Sequence, residues 1–250
     1  MMTILLLTLS LTALHEDTTR LFNDGNTAFY QGQYEQAVNA YTEALNAGRI
    51  KSPVLYYNMG NTWYRLGSLG KAILYYEAAL ALDPDFEPAR KNLGEVLRQT
   101  KRQLPSPDLH LVDTRIMARY YPLTPMQSLW AVHVTVAVSI VLLIWLHFRP
   151  GPRLRWAARL APILALTLYA LTIAANAVYH DAPRLAVTHV AEAPVFFSMN
   201  ESEQPRFLLY EGDRVLIDRV EGDWMRVTAH GGERGWTLKE NLGVVEYAFM

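Results

Sequence analysis

Apolar residues are distributed unevenly along this chain of 250 residues. They are concentrated in residues 1–14 and between about residues 120 and 180. Within the second region, residues 127–148 and 160–180 contain no Asp, Glu, Lys or Arg. A helix of either length crosses about 30 Å of hydrocarbon, so the pattern predicts two transmembrane helices. The alternative is a pair of buried helices in a globular domain, which are normally shorter.

The loop between these stretches predicts their orientation. Residues 149–159 contain four arginines and no acidic residue. Short basic loops stay in the cytoplasm, so both flanks of the pair would lie on the opposite side of the membrane. The sequence therefore predicts a multi-pass protein of a bacterial inner (cytoplasmic) membrane, with both terminal domains extracytoplasmic.

That orientation requires export of the N-terminal region. Residues 1–14 read MMTILLLTLSLTAL, an apolar run with the length of a signal-peptide core. We expect residues 1–15 to be a signal peptide or an uncleaved signal anchor. The alternative is a hydrophobic helix that packs on the domain after it.

An internal repeat lies between residues 21 and 98. Gly25 matches Gly60 and Tyr41 matches Tyr76, each at an offset of 35 residues, and Gly94 follows Gly60 by 34. Periods of this size predict stacked pairs of helices.

The residue types of the second unit fit two helices that cross closely. Gly60 and Ala72 are small where such helices meet, and Gly67 suits the tight turn between them. Asp83-Pro84 ends the second helix, because proline cannot continue it. The full pattern is Tyr56-x2-Met59-Gly60-x2-Trp63, then Ala72-x3-Tyr76, then Pro84. This pattern resembles the tetratricopeptide repeat (TPR).

The resemblance implies a TPR α-solenoid over residues 16–104. Its units would cover about residues 18–51 and 53–86, and a polar capping helix would cover 87–104. A linker at 105–126 would connect this array to the first apolar stretch.

TPR arrays bind peptides in a groove lined by the first helix of each unit. Asn26 and Asn61 occupy the same place in successive units, and such asparagines often hydrogen-bond an extended peptide backbone. The alternative is that they cap or solvate the surface. The groove would be aromatic and basic, which suits a peptide with acidic character. The residues that the resemblance places there are Phe22, Asn26, Phe29, Tyr30, Tyr57, Asn61, Tyr64, Arg65, Lys91 and Arg98.

Residues 185–247 change to short runs separated by glycine-containing turns. Alternating apolar and polar positions within these runs predict β-strands. Several short strands joined by tight turns suggest a small barrel. The predicted strands are Ala186–Val190, Pro194–Phe197, Phe207–Tyr210, Arg214–Arg219, Trp224–Thr228 and Gly235–Leu238.

Two tryptophan motifs refine this prediction. The pairs Gly222-Asp223-Trp224 and Gly235-Trp236 resemble the bacterial SH3 family, which implies a small SH3-like β-barrel. Trp224 and Trp236 would form a candidate surface for a peptide or for peptidoglycan; the alternative is that both only pack. The predicted fold class is thus multidomain α plus β: a TPR α-solenoid, two transmembrane helices and a small SH3-like β-barrel.

Composition argues against several functions. The chain has no cysteine, which excludes disulfides, thiolate metal sites and a cysteine nucleophile. Its formal net charge is -1, so no basic excess indicates nucleic acid as a partner. The seven histidines form no H-x-x-x-H pair, and no Gly-rich phosphate loop is present. We expect no catalytic, cofactor-binding or metal site, and therefore no enzyme.

The order of these segments resembles the BatE type of the bacterial aerotolerance (Bat) proteins. The resemblance implies a scaffold in an inner-membrane complex with von Willebrand A-domain proteins and a MoxR-type ATPase, linked to stress tolerance or envelope integrity. Its expected partners are proteins and the lipid bilayer. The alternative function is an envelope sensor that binds cell-wall peptidoglycan through the SH3-like domain.

Overall fold

The computed structural model describes residues 19–48, 52–105, 107 and 183–245, with isolated helical positions between residues 130 and 170. The first part of the described chain is a series of helices joined by short turns. They are α1 (19–30), α2 (Tyr34–Gly48), α3 (Pro53–Arg65), α4 (Leu69–Leu82) and α5 (Glu87–Leu97).

Local sequence explains where several of these helices begin and end. Pro53 opens α3, where its fixed φ suits the first helical position. Gly32 and Gly67 have φ of 75° and 80° in the turns that join α1 to α2 and α3 to α4. Glycine adopts this left-handed conformation without steric cost, so both turns can be tight. The prediction for Gly67 is confirmed.

The two helices of each pair cross at a glycine. A Cβ on Gly25 would lie 2.5 Å from the ring of Tyr41, and a Cβ on Gly60 would lie 2.6 Å from the ring of Tyr76. Both tyrosines are buried. The repeated Gly–Tyr contact confirms the prediction that the two units share one packing arrangement, with glycine at the close approach.

The second part of the described chain is made of strands. Met225 and Val227 are buried while their neighbours Trp224 and Arg226 are half-exposed, as expected for a strand with one covered face. The strands are β1 (Arg184–Thr188), β2 (Glu192–Val195), β3 (Phe207–Tyr210), β4 (Arg214–Glu221), β5 (Trp224–Thr228), β6 (Arg234–Leu238) and β7 (Leu242–Val244).

The prediction of one small SH3-like β-barrel is wrong. The described strands form a five-stranded sheet of order β6-β5-β4-β1-β7 and a separate two-stranded sheet of β2 and β3. All pairs are antiparallel, and a bridge between Phe196 and Trp236 connects the neighbourhoods of β2 and β6. The order depends on β1 pairing with both β4 and β7. Local alternation shows which residues share a face but not which strands pair.

The helices and the strands belong to one compact unit and share a core. Leu185 and Val187 of β1 and Leu216 of β4 are buried in the same cluster as Ile73 of α4. A second cluster lies among the strands alone, with Val195, Leu209, Val215, Ile217 and Val227 among its members.

The helix lengths contradict both the predicted transmembrane helices and the predicted inner-membrane location. No helix among the described residues is long and apolar enough to cross a membrane. A transmembrane helix needs about 20 apolar residues. The longest helix whose range is given above, α2, has 15 residues, many of them polar. Most of residues 127–148 and 160–180, and all of 1–15 and 149–159, lie outside the described residues.

Candidate functional site

A hydrogen-bonded group of three side chains links the first helix pair to the second. Asn26 Oδ1 accepts a hydrogen bond from Tyr41 Oη at 2.8 Å and another from Asn58 Nδ2 at 2.9 Å. The three residues lie on α1, α2 and α3. One amide oxygen therefore joins both helices of its own unit to the first helix of the next.

The same group recurs one repeat later. Asn61 Oδ1 accepts a hydrogen bond from Tyr76 Oη at 2.7 Å and one from Asn92 Nδ2 at 2.8 Å. Asn92 Nδ2 also approaches Tyr57 Oη at 3.3 Å. We call the two groups together the asparagine ladder: Asn26, Tyr41 and Asn58, followed by Asn61, Tyr76 and Asn92.

Burial of the tyrosines keeps the ladder in one protonation state. Desolvation raises the pKa of Tyr41 to about 12, and it raises the pKa of Tyr76 further. Hydrogen bonds with Asn58 and Asn92 act in the opposite direction but are smaller. Each tyrosine hydroxyl therefore stays a donor at neutral pH.

The ladder fixes the orientation of two amides. With both acceptor positions of Oδ1 occupied, Asn26 and Asn61 present Nδ2 to their surroundings. Neither side chain is fully buried, and neither Nδ2 has a hydrogen-bond partner among the residues that the structure describes. The first helices thus offer two amide donors at equivalent positions, one repeat apart.

Aromatic residues of α1 lie beside this ladder. The Phe22 ring is 6.0 Å from Tyr41, and Phe29 makes edge contacts with Tyr30 and Tyr34 at 5.9 and 5.6 Å. Phe22 and Phe29 are partly buried against the core, whereas Tyr30 is 87% exposed. Only Tyr30 of this group presents most of its ring to solvent.

Aromatic residues of α3 continue the same surface. Tyr57 makes an edge contact with Phe86 at 5.6 Å, and Gln99 Nε2 donates to Tyr64 Oη at 3.0 Å. Both tyrosines are half-buried. They therefore tie α3 to the segments on either side of α5 while part of each ring stays accessible.

The three basic residues predicted to line the groove differ in the contacts that they make. Arg65 Nε donates to Tyr34 Oη at 2.9 Å, and Arg98 pairs with Glu95. The hydrogen bond from Arg98, with a smaller contribution from Gln99, lowers the pKa of the Glu95 carboxyl. Lys91 is exposed and forms no ion pair within the described part of the chain. The basic character expected of the groove therefore rests on Lys91 and on Arg65, whose partner Tyr34 carries no charge.

The repeat period predicts that Asn26 and Asn61 are equivalent, and the structure places both in the ladder. Asn58 and Asn92, which hold the two amides, were not predicted. The signal was present, since Asn58 and Asn92 are 34 residues apart, one repeat period.

The two predicted tryptophans lie on one face of the five-stranded sheet. Trp236 of β6 pairs with Arg226 of β5, two residues along from Trp224. The Trp224 ring makes an edge contact with Phe196 at 5.9 Å, and Arg226 lies 5.8 Å from the Trp236 ring while it pairs with Asp218. Both tryptophans are half-buried, so each contributes to packing and to the surface.

In the described residues, no group of three or more His, Asp or Glu side chains is placed to hold a metal ion. The arrangement found in the array is one of hydrogen-bond donors and aromatic faces, which can contact a ligand.

Comparisons with known proteins agree with the repeat. Residues 22–87 match the tetratricopeptide repeat family, so the chain contains TPR units. Protein O-mannosyl-transferase tmtc2 of Xenopus laevis is 38% identical over 88 residues, which cover 34% of this chain and 10% of that protein. Photosystem I assembly protein Ycf3 of Acaryochloris marina is 31% identical over 90 residues, which cover 35% of this chain and 54% of that protein.

The chain thus spans a tenth of the first of these proteins and about half of the second. Among solved structures, the first TPR of Spaghetti (RPAP3) bound to the HSP90 peptide SRMEEVD is 28% identical, with a TM-score of 0.31. That match covers 32% of this chain and 64% of the other.

Proposed function

We propose that the helical array binds an extended segment of a partner protein along α1, α3 and α5. The observation that carries the proposal is the pair of oriented amide donors on Asn26 and Asn61. Peptide backbones in extended conformation expose carbonyl oxygens at regular intervals, and a row of fixed N–H donors complements them.

The spacing of the donors supports an extended ligand. Asn26 and Asn61 are in the first helices of successive units, and Asn58 hydrogen-bonds directly to Asn26 between those helices. Packed helices lie about 8–10 Å apart. An extended chain rises about 3.3 Å per residue, so donors one repeat apart span roughly two to three residues of it.

The remaining chemistry of this face favours an acidic segment. Lys91 is exposed and unpaired within the described residues, and Tyr30 presents most of its ring to solvent. A carboxylate near Lys91 would gain a charge-assisted contact, and apolar side chains would gain area against Tyr30.

The chain would act as a scaffold without enzyme chemistry of its own. Within this proposal, the resemblance to BatE-type proteins suggests von Willebrand A-domain proteins as partners. The half-exposed Trp224 and Trp236 support a second candidate contact, with peptide or peptidoglycan, on the five-stranded sheet. These finer assignments stay predictions.

A site-specific photocrosslinker tests the proposed face. The crosslinking residue replaces Lys91 on α5 in the full chain, and a matched variant carries it at Glu43, an exposed residue of α2. We expect adducts with one segment of a partner protein at position 91 and not at position 43. A synthetic peptide with that sequence should bind the wild-type chain, and Lys91→Glu should weaken its Kd about threefold to fivefold. Equal adducts at both positions, or none at position 91, would overturn the proposal.

A further inference from the structure

Helix α4 lies between the rest of the array and the sheet. It contacts α3 and α5 on one side and β1 and β7 on another. Ile73 is fully buried in the cluster that also contains Leu185, Val187 and Val245. In a longer repeat array, a further helix would cover this apolar surface of α4. Here strands cover it.

Glycines allow the strands to approach this closely. A Cβ on Gly70 of α4 would lie 2.7 Å from His189 Cα and closer still to the backbone oxygen of Thr188. Gly212, at φ 88°, would place a Cβ 2.9 Å from Ile73 Cδ1. Real Cβ atoms essentially never come this near backbone atoms, so the contact at Gly70 requires glycine. At Gly212 the positive φ favours glycine.

Two arginines form ion pairs between the helices and the strand region, one from each side. Arg214 of β4 donates to Glu77 Oε1 of α4 at 2.9 Å, and its side chain is 9% exposed while that of Glu77 is 2% exposed. Arg102, which follows α5, pairs with the buried Asp213 before β4 and donates to the Leu208 backbone oxygen at 3.1 Å. Removing one partner of such a buried pair leaves an uncompensated charge, which is strongly unfavourable.

The sheet also completes the first turn of α4. Ser68 is at the N-cap position but makes no side-chain hydrogen bond to the helix. Instead, the backbone N–H of Gly70 donates to Glu211 Oε1 at 2.9 Å. An acceptor at this position normally comes from the N-cap residue itself. Here a residue 141 positions later in the chain supplies it.

The third repeat has a first helix but lacks the Gly–Tyr contact of the others. Asn92 in α5 bonds to Asn61 as Asn58 bonds to Asn26, which places α5 in the register of a first helix. Within the described residues, nothing lies within 4 Å of a Cβ built on Gly94, where the equivalent glycines meet a tyrosine of a second helix. After α5, the chain runs along the sheet instead, where Lys101 Nζ lies 3.6 Å from the Tyr210 ring.

We propose that the strand region is the terminal cap of the helical array. It takes the place of the second helix of the third repeat, and the array and the sheet fold as one cooperative unit. A repeat array needs such a cap because its last apolar surface would otherwise face water. The cap closes the array beside α4 and leaves the first helices as the surface for partners.

Fluorine NMR of the full chain labelled with fluorotryptophan tests the cap. Trp63 reports on the array, and Trp224 and Trp236 report on the sheet. In a urea titration, the native signals of all three should disappear at one midpoint. Arg214→Met should raise the unfolding constant of both regions by the same factor, ~100-fold or more. Glu77→Met/Arg214→Met, which removes both charges, should recover most of that loss.

Arg226→Met is the matched control, because the ion pair of Arg226 with Asp218 is partly exposed and lies within the strand region. It should shift the midpoints of all three signals together and by far less than Arg214→Met does, because a solvent-exposed ion pair contributes little to stability. The cap is disproved if Trp63 keeps its wild-type midpoint in Arg214→Met while the signals of the sheet shift. Separate midpoints in the wild type would also disprove it. If Arg214→Met does not fold, the wild-type titration and the double variant still show whether Trp63 and the two tryptophans of the sheet unfold at one midpoint.

Discussion

The two helix pairs have the same internal contacts and different surroundings. In both, a tyrosine of the second helix packs on a glycine and bonds to an asparagine of the first. Helix α2 then exposes most of its outer face, whereas α4 is covered by β1 and β7. Four pairs of equivalent positions, 35 residues apart, show the difference: Glu35 and Gly70, Val38 and Ile73, Asn39 and Leu74, Thr42 and Glu77.

This difference separates two kinds of sequence information. Positions that repeat every 35 residues specify how two helices form a pair. Positions that break the repeat specify what covers the pair from outside. Matched substitutions at equivalent positions of α2 and α4 can therefore test the contribution of the sheet while the helix pair itself stays constant.

The largest difference is expected at Ile73. Ile73→Ala should lower the free energy of unfolding by about 2–5 kcal/mol, because it leaves a cavity between α4 and the sheet. Val38→Ala, at the half-buried equivalent in α2, should cost less than about 1 kcal/mol. Urea denaturation of the two variants measures both values. Equal losses would mean that the sheet adds nothing to the burial of α4.

Gly70 gives the next largest contrast. Alanine normally stabilises a helix by about 1 kcal/mol relative to glycine. Gly70→Ala should instead destabilise the chain by about 1–3 kcal/mol, because its Cβ would collide with Thr188 and His189. Glu35→Ala in α2 should change stability by less than about 0.5 kcal/mol. Thermal denaturation distinguishes these outcomes, and a stabilised Gly70→Ala variant would refute the close contact.

The two tyrosines of the ladder should behave alike. Tyr41→Phe and Tyr76→Phe each remove the hydroxyl that donates to an asparagine oxygen and keep the ring on its glycine. Each should cost about 1 kcal/mol in urea denaturation. A loss in one unit only would show that the repeat does not preserve the ladder.

Acid should weaken the contact between α4 and β1 slightly. Burial, and to a smaller extent Lys71, lowers the pKa of His189, and Glu211 partly opposes this effect. The unfolded chain keeps the ordinary pKa of about 6.5 and therefore binds more protons just below that pH. Stability should fall as pH drops from about 6.5 through the lowered pKa.

His189→Gln should reduce this part of the pH dependence, measured as urea midpoints between neutral and mildly acidic pH. The exposed His230 offers the control, since His230→Gln should leave the slope as it is. An unchanged slope in His189→Gln would exclude His189 as its source.

Parts of the fold could be predicted because they repeat or alternate. The Gly–Tyr contacts follow from the 35-residue period, and the predicted ranges of β3 and β5 coincide with the observed strands. Strand β7 was missed because it has three residues after a short 3-10 turn at Lys239–Asn241. The order of the strands was not predicted, because the pairing of β1 with β7 joins segments more than 50 residues apart.

The covered face of α4 was not predicted, for a related reason. Gly70 and Glu77 look like ordinary residues of a helix surface until the sheet is placed against them. The ion pair of Glu77 with Arg214 joins residues 137 positions apart. Likewise, Asn26 and Asn61 were recognised as equivalent, but only the folded chain shows that Tyr41 and Tyr76 turn their amides outward.

Amide hydrogen exchange of the wild-type chain tests most directly whether the sheet is part of the array. The slowest amides of α4 should exchange through the same opening as those of β1 and β4, with equal free energy and equal dependence on urea. Amides of α2, whose outer face is exposed, should exchange faster through local openings. The account is contradicted if α4 loses protection together with α2 while the strands stay protected.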